Sequence, residues 1–211
     1  MIRPAIFGVL LASCATAAPD PNAAVLDTLR RYPTDGTYSY FWPKEGPWDG
    51  TTEAIDVDGV RLTQGDPQKR SYCCGLTYEV FLKARRALGD PDAAAPLKEL
   101  KLRWYGNSRE APERRRLVAF AIESMGYGSR VAALEDARPG DFVQFWRHGG
   151  SGHSAIFIDW LREGGRIVGI TYWSSQKSTN GIGTATERIG DTQGVKRDEI
   201  YLARLTSGKA R

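Results

Sequence analysis

The sequence predicts an α+β domain. Helical periodicity fills the first half of the chain, and short β-prone runs between glycine-rich turns fill the second. Helices come first and the sheet after, without strict alternation, which argues for this architecture. The 211 residues suffice for one domain behind an export segment. A hydrophobic fraction of 41% and a charged fraction of 26% exclude a disordered chain.

Each element has its own signal. After Pro19-Asp20-Pro21, Val25, Leu26 and Leu29 fall at helical spacing and predict a short helix over 23–31. An aromatic, loop-rich stretch follows, with Tyr38, Tyr40, Phe41, Trp42 and Trp48; residues 34–69 form either one wall of a cleft or a cover over a sheet edge. Asp58-Gly59 between two short apolar runs predicts a two-residue hairpin. A polar loop over 65–71 leads into the strongest helix, where Leu76, Val80, Ala84 and Leu88 recur every four residues until Gly89 and Pro91 end it. Further helices are predicted over 94–105 and 112–125, the second capped by Gly126. Strands are predicted over 142–146, 154–160, 167–173 and 199–205, with turns at Gly149-Gly150, Gly164-Gly165, and Gly181 with Gly183. Trp146, Tyr172 and Trp173 read as core, with a substrate platform as the alternative. The division is an export signal over 1–18, an N-terminal segment with its helix over 19–33, one folded domain over 34–206 and a tail over 207–211.

The export reading rests on Arg3, the short apolar core over 6–11 and the small residues Ala15-Thr16-Ala17-Ala18. Leu11-Ala12-Ser13-Cys14 resembles a bacterial lipobox, which implies lipidation of Cys14 and membrane anchoring; plain signal cleavage is the alternative. Either way the mature protein is expected outside the cytoplasm, periplasmic or secreted. A net charge of +4 reads as a solvated face and suits an anionic partner such as cell-wall polymer. Arg114, Arg115 and Arg116 lie inside a helical pattern without interleaved aromatics, so no nucleic-acid partner is expected. A monomer is the default expectation.

With Cys14 in the export segment, the adjacent pair Cys73 and Cys74 remains, and neighbouring cysteines cannot staple a scaffold. An exported thiol then calls for another role, and catalysis is the foremost one. Cys73 sits at a helix start, where backbone dipoles lower a thiol pKa and hold an oxyanion. A histidine would act as base, either His153 at the start of an apolar strand or His148 in the preceding loop, with His153 preferred. Two histidines and two adjacent cysteines do not make tetrahedral metal spacing, so neither metal nor cofactor is expected.

Tyr72-Cys73-Cys74-Gly75-Leu76, Pro139-Gly140-Asp141-Phe142-Val143-Gln144-Phe145 and His153-Ser154-Ala155-Ile156-Phe157 together resemble the NlpC-type cell-wall peptidases, a branch of the papain-like fold. That family opens its first helix with Cys-Ser-Gly-Leu, then carries a Pro-Gly-Asp-Leu-Val-Phe-Phe strand and a His-Val-Gly-Ile-Tyr strand. The likeness spans roughly 72–175. It implies a papain-like fold, with the cysteine at a helix start packed on an antiparallel sheet. It also implies cleavage of amide bonds in peptidoglycan stem peptides, with Cys73 as nucleophile and His153 as base. Cys74 stands where the family has serine. Gln68, six residues before Cys74, matches the oxyanion glutamine of papain relatives and makes Cys74 the alternative nucleophile. The third group is expected on the next strand, where Gln176 would accept the ring N–H, with Ser174 and Ser175 as alternatives. The rival expectations are a non-catalytic envelope binding module on the same fold, and a cysteine acyltransferase or amidase with another substrate.

Overall fold

The computed structural model describes residues 19–42, 48–90, 92–106 and 111–208, without the side chains of residues 111 and 112. The export segment over 1–18, and Cys14 with it, lies outside the described residues.

The chain is α+β, with mostly antiparallel pairing. Helix α1 runs over Pro21–Leu29, two residues earlier than expected at each end, because Asp20 caps it through the Asn22 N–H and Pro21 opens it. Its Val25 and Leu29, with Tyr32 beyond, enter the main core. Strand β1 (Ser39–Tyr40) follows. The hairpin β2 (Ala54–Val57) and β3 (Val60–Gln64) turns at Asp58-Gly59, with φ of 50° and 73°, the two positive angles of a type I′ turn. Strand β4 (Arg70–Ser71) pairs in parallel with β1, inside what the sequence predicted as plain loop.

Helix α2 (Cys73–Ala87) buries Leu76, Val80 and Ala84 completely, as their spacing predicts. Gly89 ends it in a left-handed turn, with the Asp90 N–H on the Arg85 carbonyl. Helix α3 (Ala94–Trp104) and helix α4 (Ala111–Ser124) complete the helical layer, and Gly126 closes α4 in the same manner. Leu117 interrupts α4 at φ 35°, a conformation few side chains adopt.

Six strands form the main sheet: β5 (Gly128–Val131), β6 (Phe142–Arg147), β7 (Gly152–Glu163), β8 (Arg166–Gln176), β9 (Gly181–Arg188) and β10 (Val195–Leu205). Their spatial order is β5-β10-β6-β7-β8-β9, all antiparallel. Alternation sorts side chains onto two faces. Phe142, Ile156 and Trp173 join the core shared with the helices, while Val143, Phe145, Phe157 and Tyr172 build a second core on the other face.

Strands β5 and β9 were not predicted. Gly181 and Gly183, expected as a turn, pair with Gln176 and Ser174 inside β9. Gly181 is required by a close approach rather than by a turn: a Cβ there would stand 1.9 Å from the Tyr38 carbonyl oxygen. Tyr38 and Ser39 thus lie against the β9 edge of the sheet.

The Pro139-Gly140-Asp141 motif is a joint. Asp141, fully buried, accepts from the Arg138 N–H, from Asn22 of α1 at 2.9 Å and from Arg204 of β10 through two bonds of 2.8 Å. Gly140 has φ 95°, and a Cβ there would meet the Asn22 carbonyl at 2.8 Å. Replacing Asp141 by alanine is expected to remove about 3–5 kcal/mol of unfolding free energy, because it strands a guanidinium and an amide made to bond it. Urea denaturation checks this, and an unchanged midpoint would refute the role.

Candidate active site

Helix α2 begins at Cys73 because Tyr72 is extended (φ −144°, ψ 167°) and the first helical bond runs from the Leu76 N–H to the Tyr72 carbonyl. No side chain caps this end and no acidic residue lies in its first turn. The dipole is therefore left for a negative charge at the sulfurs. The Asp49-Gly50 backbone presses on the same turn. A Cβ at Gly75 would stand 2.1 Å from the Asp49 carbonyl oxygen, so glycine is required there. Trp104 fixes the turn from the other side, its Nε1 donating to the Cys74 carbonyl at 3.1 Å.

Both thiols are free, buried and on the lining of one cleft of about 580 Å³. A hydrogen bond from the Cys74 thiol holds the Cys73 thiol well below its ordinary pKa. Burial opposes this, while the charge and hydrogen bond of His153 and the Ser154 N–H reinforce it. Cys74 moves the other way, pushed up by its bond to Cys73, by burial and by the neighbouring sulfur's charge. The one hydrogen bond shared between the sulfurs thus lowers the Cys73 thiol and raises that of Cys74.

His153 opens the buried run of β7, opposite Phe145. Its ring rests between the rings of Phe145 and Tyr172, with centroids 5.5 and 5.2 Å away. Nε2 is buried without a hydrogen-bond partner. Behind it Tyr172 donates to Glu187, which Arg147 holds through two bonds of 2.6 Å. Burial raises the Glu187 pKa, but the bonds from Arg147 and Tyr172 outweigh it and leave the carboxyl below its usual range.

Gln176 reaches the cleft. It ends β8, as His153 lies near the start of β7, and both residues line the cleft beyond the last paired residues Ile156 and Trp173. The Gln176 amide nitrogen donates to Thr179 at 2.8 Å and to the Gly183 carbonyl at 3.1 Å, and its Oε1 is buried without a partner. No hydrogen bond joins it to His153; each residue keeps one buried polar atom without a partner.

The other candidates stand elsewhere. Ser174 and Ser175 are spent on the frame: Ser174 donates to the Ser154 carbonyl at 2.7 Å, and Ser71 donates to Ser175 at 2.8 Å. Gln68 is exposed and away from the cleft, in a loop that Asp66 winds around itself by accepting the Gln68 and Arg70 N–H groups. His148 bonds the Gly190 carbonyl at 2.9 Å and does not line the cleft. Among the described residues no cluster of three or more His, Cys, Asp and Glu could hold a metal.

Sequence reasoning missed several lining residues. Gln144, whose Oε1 accepts from Ser154 at 2.7 Å, faces the cleft. Its signal was a polar residue where the resembling strand carries phenylalanine. Tyr40 and Trp42 line one side, so the 34–69 region also supplies a wall. Trp104, Tyr105, Leu117 and Trp146 line the cleft as well. Trp146, expected in the core, is half-buried there, whereas Tyr172 and Trp173 are core. Comparison with family models, curated proteins and solved structures finds no match.

The sulfur pair makes a sharp expectation. Alkylation follows the thiolate, so the rate at Cys73 should level off below the ordinary thiol range. Cys74→Ala removes the donor and should move that plateau to higher pH, whereas Cys74→Ser keeps a donor and should leave it low. A pH profile of iodoacetamide reactivity reads both, and an unmoved Cys74→Ala curve would reject the shared hydrogen bond.

Proposed function

We propose that this protein is an exported cysteine hydrolase of papain-like fold that cleaves amide bonds, with peptidoglycan stem peptides as its substrate. The observation that carries the reading is the Cys73 thiol at an uncapped helix N-terminus, facing the His153 imidazole in an open cleft. The Pro-Gly-Asp turn and the His153 strand support it by their likeness to the cell-wall peptidases, and Cys14 supplies the anchor in this reading.

The Cys73 thiolate attacks the amide carbonyl, and the N–H groups opening α2 stabilise the oxyanion that forms. The protonated His153 then gives its proton to the leaving amine as the C–N bond breaks, leaving a thioester on Cys73. Neutral His153 next takes a proton from water, whose hydroxyl attacks the thioester; the C–S bond breaks, the acid product departs and the thiolate is restored beside the protonated ring. Gln176 Oε1 accepts the Nε2–H during this cycle and keeps the ring oriented. The aromatic walls bound by Phe145 and Tyr172 already limit its rotation.

Purified muropeptides test the reading. Cys73→Ala is expected to reduce turnover by about 10³-fold or more while leaving the thermal transition in place. Cys74→Ala should retain measurable activity. Full turnover in the Cys73→Ala, Cys74→Ala double variant would overturn the mechanism.

A further inference from the structure

Cys73 and Cys74 are the first two residues of α2, both free, both 8% exposed and both on the lining of the cleft. Neighbours on a helix do not ordinarily face each other. Here a hydrogen bond joins their sulfurs. The hydrolytic cycle gives Cys74 no bond to make or break. The resembling family has serine at this position, and a hydroxyl would donate to the Cys73 sulfur as well. A second sulfur adds one capacity that a hydroxyl lacks, which is oxidation by electron pairs. Thiols that respond to oxidants are accessible, ionise readily and stand beside a second thiol that resolves the oxidised form. The backbone at this helix end is lightly held. Its first N–H groups have no intrahelical partner and no side chain caps them. The Cys73 and Cys74 carbonyls accept from the Thr77 hydroxyl at 2.9 and 3.1 Å, and Trp104 adds one bond to Cys74. A bond between these sulfurs would be strained, because adjacent Cα atoms lie about 3.8 Å apart and relaxed disulfides prefer about 5.5–6 Å. Strain makes a disulfide easy to reduce, as a reversible state requires and a permanent staple does not.

We propose that Cys73 and Cys74 form a peroxide-responsive pair, in which Cys73 is oxidised to a sulfenic acid and Cys74 condenses with it into a strained vicinal disulfide that a thiol reductant reopens. This rests on Cys73 as the reactive thiol of the cleft and not on which amide is cleaved. In the first step the Cys73 sulfur bonds one peroxide oxygen as the O–O bond breaks. The sulfur is oxidised, the peroxide is reduced, and the leaving hydroxide takes the His153 proton and departs as water. In the second step the Cys74 sulfur bonds the Cys73 sulfur as the S–O bond breaks, and that hydroxide leaves as water with the Cys74 proton. The closed pair has no thiolate to attack a carbonyl, so hydrolysis stops until reduction. Without Cys74 the sulfenic acid stays open to further peroxide and passes to the sulfinic acid, which thiol reductants do not reverse.

Hydrogen peroxide on the full chain tests the pair. After treatment the chain is unfolded, its remaining thiols are blocked with iodoacetamide, and cleavage after Arg70 and Lys83 releases both sulfurs on one peptide, residues 71–83. The expected product is that peptide lighter by two hydrogens and carrying no blocking group. Dithiothreitol should return both thiols, and with them the reactivity of the folded protein towards iodoacetamide. In Cys74→Ser the same dose should give Cys73 sulfinic acid, and dithiothreitol should no longer restore reactivity. A blocked Cys74 beside an oxidised Cys73 overturns the proposal, whether Cys73 ends as sulfinic acid or bonded to the Cys74 backbone nitrogen. A disulfide from either sulfur to Cys14 or to another chain does the same, as does equal recovery of the parent and Cys74→Ser. If iodoacetamide modifies Cys73 in the folded parent while peroxide leaves it untouched, this inference alone falls. If neither reagent reaches Cys73, the nucleophile assignment falls with it.

Discussion

The site depends on the first turn of α2, which is held where two layers meet. The Asp49-Gly50 backbone closes on it from one side and Trp104 bonds it from another. The start of β7 brings an imidazole and a backbone N–H to the first sulfur. Leaving this helix end without a side-chain cap forfeits roughly 1 kcal/mol of ordinary helix stability. That loss is tolerable because tertiary packing, not capping, fixes the end. Glu79 on the same helix shows how: fully buried, it accepts from Tyr32 at 2.7 Å, from the Thr52 N–H at 2.6 Å and from the Thr52 hydroxyl at 2.7 Å, and Lys83 neutralises it. Helix α1 and the loop over the helix start are thereby tied to one carboxylate.

Local chemistry made much of this fold legible. The four-residue repeat of α2, the two glycine caps and the Asp58-Gly59 turn act within a few residues, and each is where the sequence puts it. What stayed hidden is set by distant chain. Strand β5 is a sheet edge reading Gly-Ser-Arg-Val, with too little apolar alternation to announce itself. Gly181 looks like a turn residue, yet its small size answers to Tyr38, far away in sequence. The site divides likewise. Cys73 and His153 were readable because helix-start and strand-start positions follow from local pattern. The commitment of the Gln176 amide to Thr179 and Gly183 was not, since the β8–β9 hairpin creates it. Gln68 kept the right spacing, but Asp66 curls its loop outward.

The adjacent sulfurs change what a serine would do in that place. A thiol is a weak hydrogen-bond donor. Buried beside a second sulfur on an uncapped helix end, however, it donates to the residue that also faces the imidazole, lowering that thiol while its own is raised. Geometry therefore distinguishes two chemically identical groups, and the distinction comes from the strand rather than from either cysteine. The second core behind β7 serves the same end. Phe145 and Tyr172 belong to it and also flank the His153 ring, so packing on that face of the sheet restrains the imidazole.

The two-rung ladder between Ser39–Tyr40 and Arg70–Ser71 continues in a bond from the Phe41 N–H to the Ser71 carbonyl. Its one end carries the exposed indole of Trp42, and the other ends two residues before the sulfur. The outer wall of the cleft and the start of α2 are thus stitched by main-chain bonds into one piece, so neither can shift without carrying the other.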